Sequence, residues 1–360
     1  MSKASNVPPG HNQLEISVFG VGVGECVVVH LGDGDWMVVD SFLNRHTGNP
    51  VALDYLKALD VDPSRNLKRL VITHWHNDHT RGASAILTTA PVAKTWASVA
   101  LQQQNFSKLV AASGTEPDFG TDEFRRVLEL LKARAGGRKE ELAFSWAKAN
   151  TTIFQSAQCS VVSLSPSDAS ITLAFQEIGK LVPTLGPRLK AVAQTANEVA
   201  VALWIRFGAN NVLLGADLEA GTARTGWKAI VADEERPSGR AGLLKVPHHG
   251  SDDAHEPLMW EHLVAPTCMA VITPYNASSK PLPSKADVDR ILKQTPHLYL
   301  SGPRPSKTTG LSPAVERLIR QVAPDFRDVT GNLGHVRFRV DSNGNNHQIE
   351  LFGRAQKLSA

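Results

Sequence analysis

The sequence is poor in cysteine, and the three cysteines it has lie far apart. Cys26, Cys159 and Cys268 are odd in number and form no C-x-x-C spacing, so they predict neither a disulfide framework nor a zinc knuckle. Long apolar runs are lacking too, since no stretch approaches the roughly 18 residues that a membrane helix needs. The first ten residues are polar and carry two prolines, unlike a signal peptide. We therefore expect no membrane association and a cytoplasmic location.

A strong excess of either charge is also missing. The chain has 38 Lys and Arg against 35 Asp and Glu, which gives a net charge of +3 and a pI near 8.7. This mildly basic balance would tolerate a polyanionic substrate without requiring one. Internal repeats and low-complexity tracts are absent from the 360 residues. With 42% hydrophobic residues, the composition is that of an ordinary globular protein with a large core.

Short apolar, β-branched segments alternate with helical segments along most of the chain. This order predicts sheets covered by helices, a layered α/β sandwich. Near the end, Val336–Val340 and Gln348–Phe352 flank a polar, glycine-containing run and predict a hairpin. Residues 97–150 are richer in Gln, Lys, Arg and Glu, and we expect a helical insertion or lid there. The predicted organisation is one domain over residues 12–355, which contains this insertion and follows a flexible N-terminus of residues 1–11.

A dense cluster of metal-binding residue types follows one predicted strand. His74, His76, Asp78 and His79 fall within six residues, directly after the apolar segment Leu67–Thr73. Extended backbone alternates its side chains, so His74 and His76 can project to the same side and hold one ion. If the chain then turns into a helix, Asp78 and His79 can face a second ion. Two ions about 3.5–4 Å apart can polarise a substrate oxygen and hold a hydroxide between them.

Two later segments supply further ligand types. Asp217 ends an apolar strand, and the segment Leu243–Ser251 combines a strand, a proline, the pair His248 and His249, and a glycine. Lys245 lies within that otherwise apolar strand, where an amine is costly unless it reaches a partner. We expect Lys245 to project toward the site and stabilise negative charge on a scissile phosphate. The alternative is that it extends to the surface.

Together these motifs resemble the metallo-β-lactamase superfamily and, within it, the hydrolase domain of ComEC-type competence proteins. The resemblance extends from about residue 14 to residue 294. The matching segments are Phe19–Glu25, Val38–Ser41, His74–Ala83, Asn197–Val201, Gly215–Asp217 and Lys245–Ser251. It implies a four-layer αββα sandwich, and a binuclear centre of two divalent ions, zinc or manganese.

The resemblance also implies a role for each candidate ligand. His74 and His76 would hold the first metal. The second would be held by Asp78, His79 and His248, with Asp217 as a bridge between the two ions. His249 would be a neighbour or an alternative ligand, and Asp40 would orient a ligand imidazole.

The chain departs from the family pattern at two places. No histidine lies between His79 and His248, and Ser165 stands where the family usually carries the third ligand of the first metal. We therefore expect a weak first site, completed by water or by an ion that favours oxygen, such as manganese. Near the far wall, Asn276 is followed by Lys280, where the family carries a histidine. Lys280 could bind a phosphate as a point charge or face solvent.

The leading functional hypothesis is a phosphodiesterase, a nuclease acting on DNA. A metal-activated hydroxide would attack phosphorus, and Asp78 or Asp217 would fix that hydroxide. A protein partner would be compatible with this activity, whereas DNA uptake does not follow, because the competence protein's membrane channel is missing. Basic residues of the insertion could contact phosphates or form a solvated face: Arg125, Arg126, Lys132, Arg134, Arg138 and Lys139.

Two other hypotheses use the same residues differently. In one, the hydrolase acts on a small ester, lactone or thioester, and the insertion closes as a lid. In the other, the loss of the third histidine has left a metal-poor, non-catalytic scaffold of a multiprotein system.

Overall fold

The computed structural model describes residues 7–22, 24–102, 121–134, 144–181, 196–276, 280–304 and 333–359. Two eight-stranded sheets make up most of these residues. The first sheet contains β1 (Gln13–Gly20), β2 (Glu25–His30), β3 (Trp36–Val39), β4 (Leu67–Ile72), β5 (Lys94–Ser98), β6 (Phe144–Ala147), β14 (Gly334–Asp341) and β15 (Gln348–Phe352). Their spatial order is β15-β14-β1-β2-β3-β4-β5-β6. From β3 to β6 the strands are parallel, and the others pair antiparallel.

The second sheet repeats this mixture of parallel and antiparallel pairs. It contains β7 (Thr151–Gln155), β8 (Cys159–Ser163), β9 (Leu203–Phe207), β10 (Asn210–Leu214), β11 (Ala241–Lys245), β12 (Val264–Ile272), β13 (His297–Leu300) and β16 (Gln356–Leu358). Their spatial order is β16-β13-β12-β11-β10-β9-β8-β7. Strands β10 to β13 are parallel to one another. A strand segment that is buried on both faces is apolar on both, as Val212–Leu214 of β10 and Leu243–Leu244 of β11 are.

The described helices are short. They are α1 (Val51–Ala58), α2 (Pro63–Asn66), α3 (Asn77–Thr80), α4 (Ala83–Thr89), α5 (Thr121–Arg134), α6 (Asp168–Leu181), α7 (Gly226–Ala232), α8 (Pro257–Leu263) and α9 (Lys285–Leu292). Single 3₁₀ turns lie at Val99–Gln102, Pro247–Gly250 and Asp252–Ala254. Within the described residues, none of the helices has the length and apolarity needed to cross a membrane.

Side-chain alternation along the strands builds three core layers. In β10, Val212 and Leu214 pack between the two sheets, whereas Leu213 faces the helices on the outer side of the second sheet. In β2, Val27 points into the layer between the sheets and Val28 toward the helices that cover the first sheet. The result is the predicted sandwich of two sheets with helices on both outer faces, so the predicted fold class is confirmed.

The predicted insertion of residues 97–150 contributes to both a helix layer and a sheet. Phe124 and Val127 of α5 are buried against the core that contains α4, and β6 extends the first sheet by pairing with β5. Residues 103–120 and 135–143, which include Arg138 and Lys139, lie outside the described residues, as do residues 1–6 of the predicted flexible N-terminus. The domain bounds stay predictions.

Candidate metal centre

Five parallel strands end at one edge of the sandwich, and the residues that follow them meet there. The first sheet contributes Asp40 after β3 and the cluster His74–His79 after β4. The second sheet contributes Asp217 after β10, His249 after β11 and Thr273 after β12. The carboxyl ends of parallel strands face the same way, so their loops can build one site from residues distant in sequence.

The histidine cluster is positioned by a change from extended to helical backbone. His76 still has an extended conformation, with φ −67° and ψ 146°, and α3 begins at the next residue. Asp78 and His79 lie in this single helical turn, which His79 N closes by donating to His76 O over 3.0 Å. The turn directs His79 inward, where it is fully buried, while the Asp78 side chain keeps 14% of its exposure.

A tight backbone turn separates the two adjacent histidines of the second sheet. His248 and His249 both have left-handed conformations, with φ values of 44° and 54°, which non-glycine residues adopt rarely. The His249 side chain is 2% exposed and points into the cluster. His248 instead lies 3.0 Å, through Nδ1, from Asp253 Oδ1, and Nδ2 of Asn197 donates to its Nε2 over 3.2 Å. The structure therefore places His249, and not His248, beside the cluster.

Four side-chain atoms converge at the centre of the cluster. Nε2 of His79 lies 3.3 Å from Oδ2 of Asp217 and 3.6 Å from Oδ2 of Asp78. Nε2 of His249 lies 3.3 Å from the same Asp217 oxygen and 3.7 Å from the same Asp78 oxygen. A tetrahedral zinc ion with bonds of about 2.0–2.1 Å would hold its ligand atoms roughly 3.4 Å apart. In these four residues, which we call the quartet, each histidine nitrogen therefore lies near this spacing from both carboxylate oxygens. The potential metal-binding group that contains His79, Asp217 and His249 is completed by Glu25 and not by Asp78.

Each imidazole of the quartet is oriented through its other nitrogen. Nδ1 of His79 lies 2.7 Å from Oδ2 of Asp40, a carboxylate that also accepts hydrogen bonds from Thr73 N and Oγ1. Nδ1 of His249 lies 3.0 Å from the carbonyl oxygen of Thr273. Both Nδ1 atoms donate to these oxygens, so Nε2 is the nitrogen of each ring that faces the centre.

The charged members of the quartet shift one another's pKa values. Burial lowers the pKa of His249, but the Asp217 carboxylate outweighs it and raises that pKa to about 9. The pKa of His79 is likewise raised, because the nearby carboxylates of Asp217 and Asp78 overcome the effect of burial. Burial raises the pKa of Asp217, yet His249 and His79 hold it well below its usual range. Without a cation, protons on the imidazoles balance the buried carboxylates, so a divalent ion can take the place of those protons.

The donor set also contains buried atoms without a hydrogen-bond partner in the described residues. His79 Nε2 and Asp217 Oδ1 are both in this state, and buried polar atoms are seldom left so. Nitrogen and carboxylate oxygen are ligands that zinc and manganese accept. The quartet thus fits a divalent metal ion in its histidine-to-carboxylate distances, its ring orientations and its donor chemistry.

His74 and His76 form a second pair beside the quartet. Nε2 of His74 lies 3.1 Å from Nδ1 of His76, and the His74 and His79 rings have centroids 4.2 Å apart. Burial holds the pKa of His74 well below its usual range, so this imidazole is neutral. Ser165 does not add a free ligand, because its hydroxyl donates to Ala200 O over 2.6 Å and accepts from Ala202 N over 2.8 Å.

Three other predicted residues are not members of the quartet. Lys245 is fully buried, and its ammonium contacts Glu25 and Ala216 rather than a surface that a substrate could reach. Asn276 is exposed, and its backbone nitrogen donates to Gly22 O. Lys280 is exposed as well.

Sequence reasoning did not assign a role to Glu25 or to Thr273. Oε2 of Glu25 lies 2.5 Å from both Lys245 Nζ and Thr273 Oγ1, and Glu25 shares a potential metal-binding group with His79, Asp217 and His249. Glu25 is the last residue of the segment Phe19–Glu25, but nothing in that segment predicts a contact between Glu25 and the second sheet. Tyr275, also unassigned, stacks on His249 with ring centroids 5.0 Å apart.

Comparison with known proteins gives one family match. Residues 19–105, which include the whole His74–His79 cluster, match the family model of the Metallo-beta-lactamase superfamily. No curated protein matches the chain at a significant level.

Solved structures with a similar arrangement are distant in sequence. The metallo-beta-lactamase fold protein YhfI from Bacillus subtilis is 10% identical, with a TM-score of 0.41, and the match covers 81% of this chain and 98% of that one. A mutant of CmlA beta-hydroxylase is 15% identical, with a TM-score of 0.40 and coverages of 93% and 55%. Zn(2+)-bound PqqB from Methylobacterium extorquens is 14% identical, with a TM-score of 0.31 and coverages of 61% and 55%.

These structural neighbours are too distant to indicate an activity. The family match lies on the strands and the histidine cluster of the first sheet, within a sandwich of two large sheets covered by helices. The chain is thus similar to the Metallo-beta-lactamase superfamily over residues 19–105.

Proposed function

We propose that this protein is a metal-dependent hydrolase whose main cation is bound by Asp78, His79, Asp217 and His249. The quartet is the observation that carries the proposal, because each of its histidine nitrogens lies 3.3–3.7 Å from both of its carboxylate oxygens. His249 takes the place that the family resemblance gives to His248, since the His248 ring is engaged with Asp253 and Asn197.

The protein's own residues would hold this cation and control access to it. A bound divalent ion supplies Lewis-acid chemistry, because it polarises a substrate oxygen and lowers the pKa of water. Asp40 keeps the His79 ring in place, and the Thr273 carbonyl does the same for His249. Asp78 is the most exposed member of the quartet, so substrate would approach from its side while the buried members exclude water from the other.

A second, weaker cation would bind at His74 and His76. Their facing nitrogens, 3.1 Å apart, have the separation of two ligands on one ion. With the Ser165 hydroxyl committed to the backbone, water would have to complete this site. An ion that favours oxygen ligands, such as manganese, suits such a site better than zinc.

As substrate we propose a phosphodiester, with DNA as the first candidate. The support is the likeness of Phe19–Glu25 and Lys245–Ser251 to the ComEC-type hydrolase domain, together with the mildly basic chain. The described part of the predicted insertion adds little to it. In α5, Arg125 pairs with Asp122 and Glu129, and Arg126 with Asp122. These pairs reduce the positive charge that α5 offers to a nucleic acid.

A small uncharged ester, lactone or thioester is the second candidate. The same internal pairing of Arg125 and Arg126 favours it, because such a substrate needs no field of positive charge. The metal chemistry would be unchanged, since a carbonyl oxygen can be polarised in the same way as a phosphoryl oxygen.

Hydrolysis assays with metal-loaded protein separate these candidates. Protein reconstituted with zinc or manganese would be given plasmid DNA, single-stranded DNA, bis(p-nitrophenyl) phosphate, p-nitrophenyl acetate and a simple lactone. Phosphodiester cleavage that Asp217→Asn abolishes would support the first candidate, and cleavage of the carboxylic esters alone would support the second. A metal content far below one ion per chain, with no hydrolysis of any substrate, would overturn the proposal and favour the non-catalytic scaffold.

A further inference from the structure

A buried carboxylate from the first sheet connects the two quartet members of the second sheet. Glu25, at the start of β2, is 2% exposed and reaches across the sandwich. Its Oε2 lies 2.5 Å from the ammonium nitrogen of Lys245 and accepts a hydrogen bond from Thr273 Oγ1, also over 2.5 Å. Two arms therefore extend from one oxygen atom.

The first arm leads to Asp217. Lys245 Nζ donates to the carbonyl oxygen of Ala216, the residue before Asp217, over 2.8 Å. It also lies 3.7 Å from Asp217 Oδ1. The ammonium thus fixes the backbone beside Asp217 by a hydrogen bond and lies at ion-pair distance from Oδ1, while Oδ2 faces His79 and His249.

The second arm leads to His249. A hydroxyl has one proton, and Thr273 gives it to Glu25, so Thr273 can only accept a hydrogen bond from His249. Nδ1 of His249 therefore carries a proton, which it shares with the Thr273 carbonyl and hydroxyl oxygens at 3.0 and 3.1 Å. This tautomer leaves the Nε2 lone pair for a cation.

We propose that Glu25 and Lys245 are positioning residues, which orient Asp217 and His249 as ligands of the cation through these two arms. The inference rests on the proposed function, because it requires that the quartet binds a divalent ion. It also gives Lys245 a role different from a contact with substrate phosphate, since its ammonium is fully buried between Glu25, Ala216 and Asp217.

The variant Lys245→Met distinguishes positioning from simple electrostatics. By electrostatics alone, loss of the positive charge near the quartet would increase the affinity for a cation. Positioning predicts the opposite sign: zinc and cobalt affinity should fall about 10- to 100-fold, as when a group that orients a metal ligand is lost. The double variant Glu25→Gln/Lys245→Met leaves the net charge unchanged, avoids an unpaired buried carboxylate, and should weaken binding by a similar factor.

The measurements are metal affinity, by competition with a chromophoric chelator, and the visible absorption spectrum of the cobalt-saturated protein. The spectrum reports ligand geometry, which a loss of stability alone would not change. Thermal unfolding of the metal-free variants shows whether they fold. The matched control is Glu15→Gln/Arg339→Met, which removes another buried ion pair of 2.7 Å and should leave both affinity and spectrum unchanged.

The outcomes separate the two proposals. If wild type binds zinc and Asp78→Asn does not, the cation site of the proposed function is supported. Unchanged or tighter binding with an unchanged spectrum in a folded Lys245→Met or double variant would then overturn the positioning role alone. If wild type binds no divalent ion, both proposals fail.

Discussion

Nε2 of His79, which follows a strand of the first sheet, lies 3.3 Å from Oδ2 of Asp217, which follows a strand of the second. The fold brings these atoms together although neither residue is near the other in sequence. A buried imidazole and carboxylate at this distance can share either a proton or a cation, and the shared position defines the candidate centre.

Substitution of Asp217 should abolish tight metal binding. Asp217→Asn keeps the size of the side chain but removes the charge that faces His79 and His249. Loss of a group that only orients a ligand lowers metal affinity about 10- to 100-fold. Because Asp217 is itself a ligand, we expect zinc affinity to fall by about 100-fold or more. Asp253→Asn is the matched control, since Asp253 is half exposed and pairs with His248. Equal losses in the two variants would contradict the assignment.

Substitution of the two adjacent histidines should have very different effects on metal affinity. His249→Ala should lose the high-affinity cation, because Nε2 of His249 is one of the four converging atoms. His248→Ala should retain metal affinity within a few-fold, since the His248 ring is held by Asp253 and Asn197. Metal content after dialysis against a weak chelator would test this. Retention of the ion by the His249 variant and its loss from the His248 variant would reverse the assignment.

Metal affinity should increase with pH. In the metal-free protein the pKa of His249 is raised to about 9 and that of His79 is also raised, by Asp217 and its neighbours against the effect of burial. Below these pKa values a cation must displace protons, so each displaced proton should weaken binding about tenfold per pH unit of acidification. Titrations at pH 6, 7 and 8, with proton release followed in two buffers of different ionisation enthalpy, would measure it. A pH-independent affinity would be inconsistent with these shifts.

His335 should make the fold sensitive to acid. This ring is 4% exposed and stacks on Phe19 and Phe352, and burial, assisted by Arg337, lowers its pKa to about 3. In the unfolded chain His335 is therefore protonated below about pH 6.5, whereas in the folded chain it is protonated only below about pH 3. This residue's contribution to stability is complete above pH 6.5 and is lost as the pH falls.

The variant His335→Phe tests that contribution. It should reduce the slope of the unfolding free energy against pH, between pH 6 and 4, by up to about 1.4 kcal/mol per pH unit. Denaturant unfolding at several pH values measures the slope. His347→Gln, at an exposed position in the β14–β15 turn, should leave it unchanged. A wild-type slope in the Phe variant would refute the role of His335.

The sequence allowed the architecture to be predicted because strand periodicity is local information. The hairpin of Val336–Val340 and Gln348–Phe352 is present as β14 and β15. The apolar segment Val199–Phe207 is a strand only in part, since β9 begins at Leu203. Val201 N donates instead to Thr73 O, and Ala202 N to Ser165 Oγ. Val201 and Ala202 therefore connect the second sheet to Thr73 and Ser165 in the loops of the site. These are tertiary contacts, which strand propensity cannot predict.

The site was less predictable where it depends on contacts between the sheets. Alternation along β11 directs Lys245 inward, but whether it meets a substrate or a carboxylate depends on Glu25, which lies on the other sheet. Which of His248 and His249 faces inward depends on two successive left-handed residues, a conformation that is rare outside glycine. Neither choice follows from local sequence.

Because the ligands come from both sheets, a bound cation would also stabilise the fold. Asp78 and His79 precede Asp217 and His249 by more than a third of the polypeptide, so a bound cation would cross-link two distant lengths of chain at the open edge of the sandwich. Its affinity would then be measurable without any substrate. Above the dissociation constant, each tenfold increase in free metal should add about 1.4 kcal/mol to the free energy of unfolding. A chelator should return the melting temperature to that of the metal-free protein.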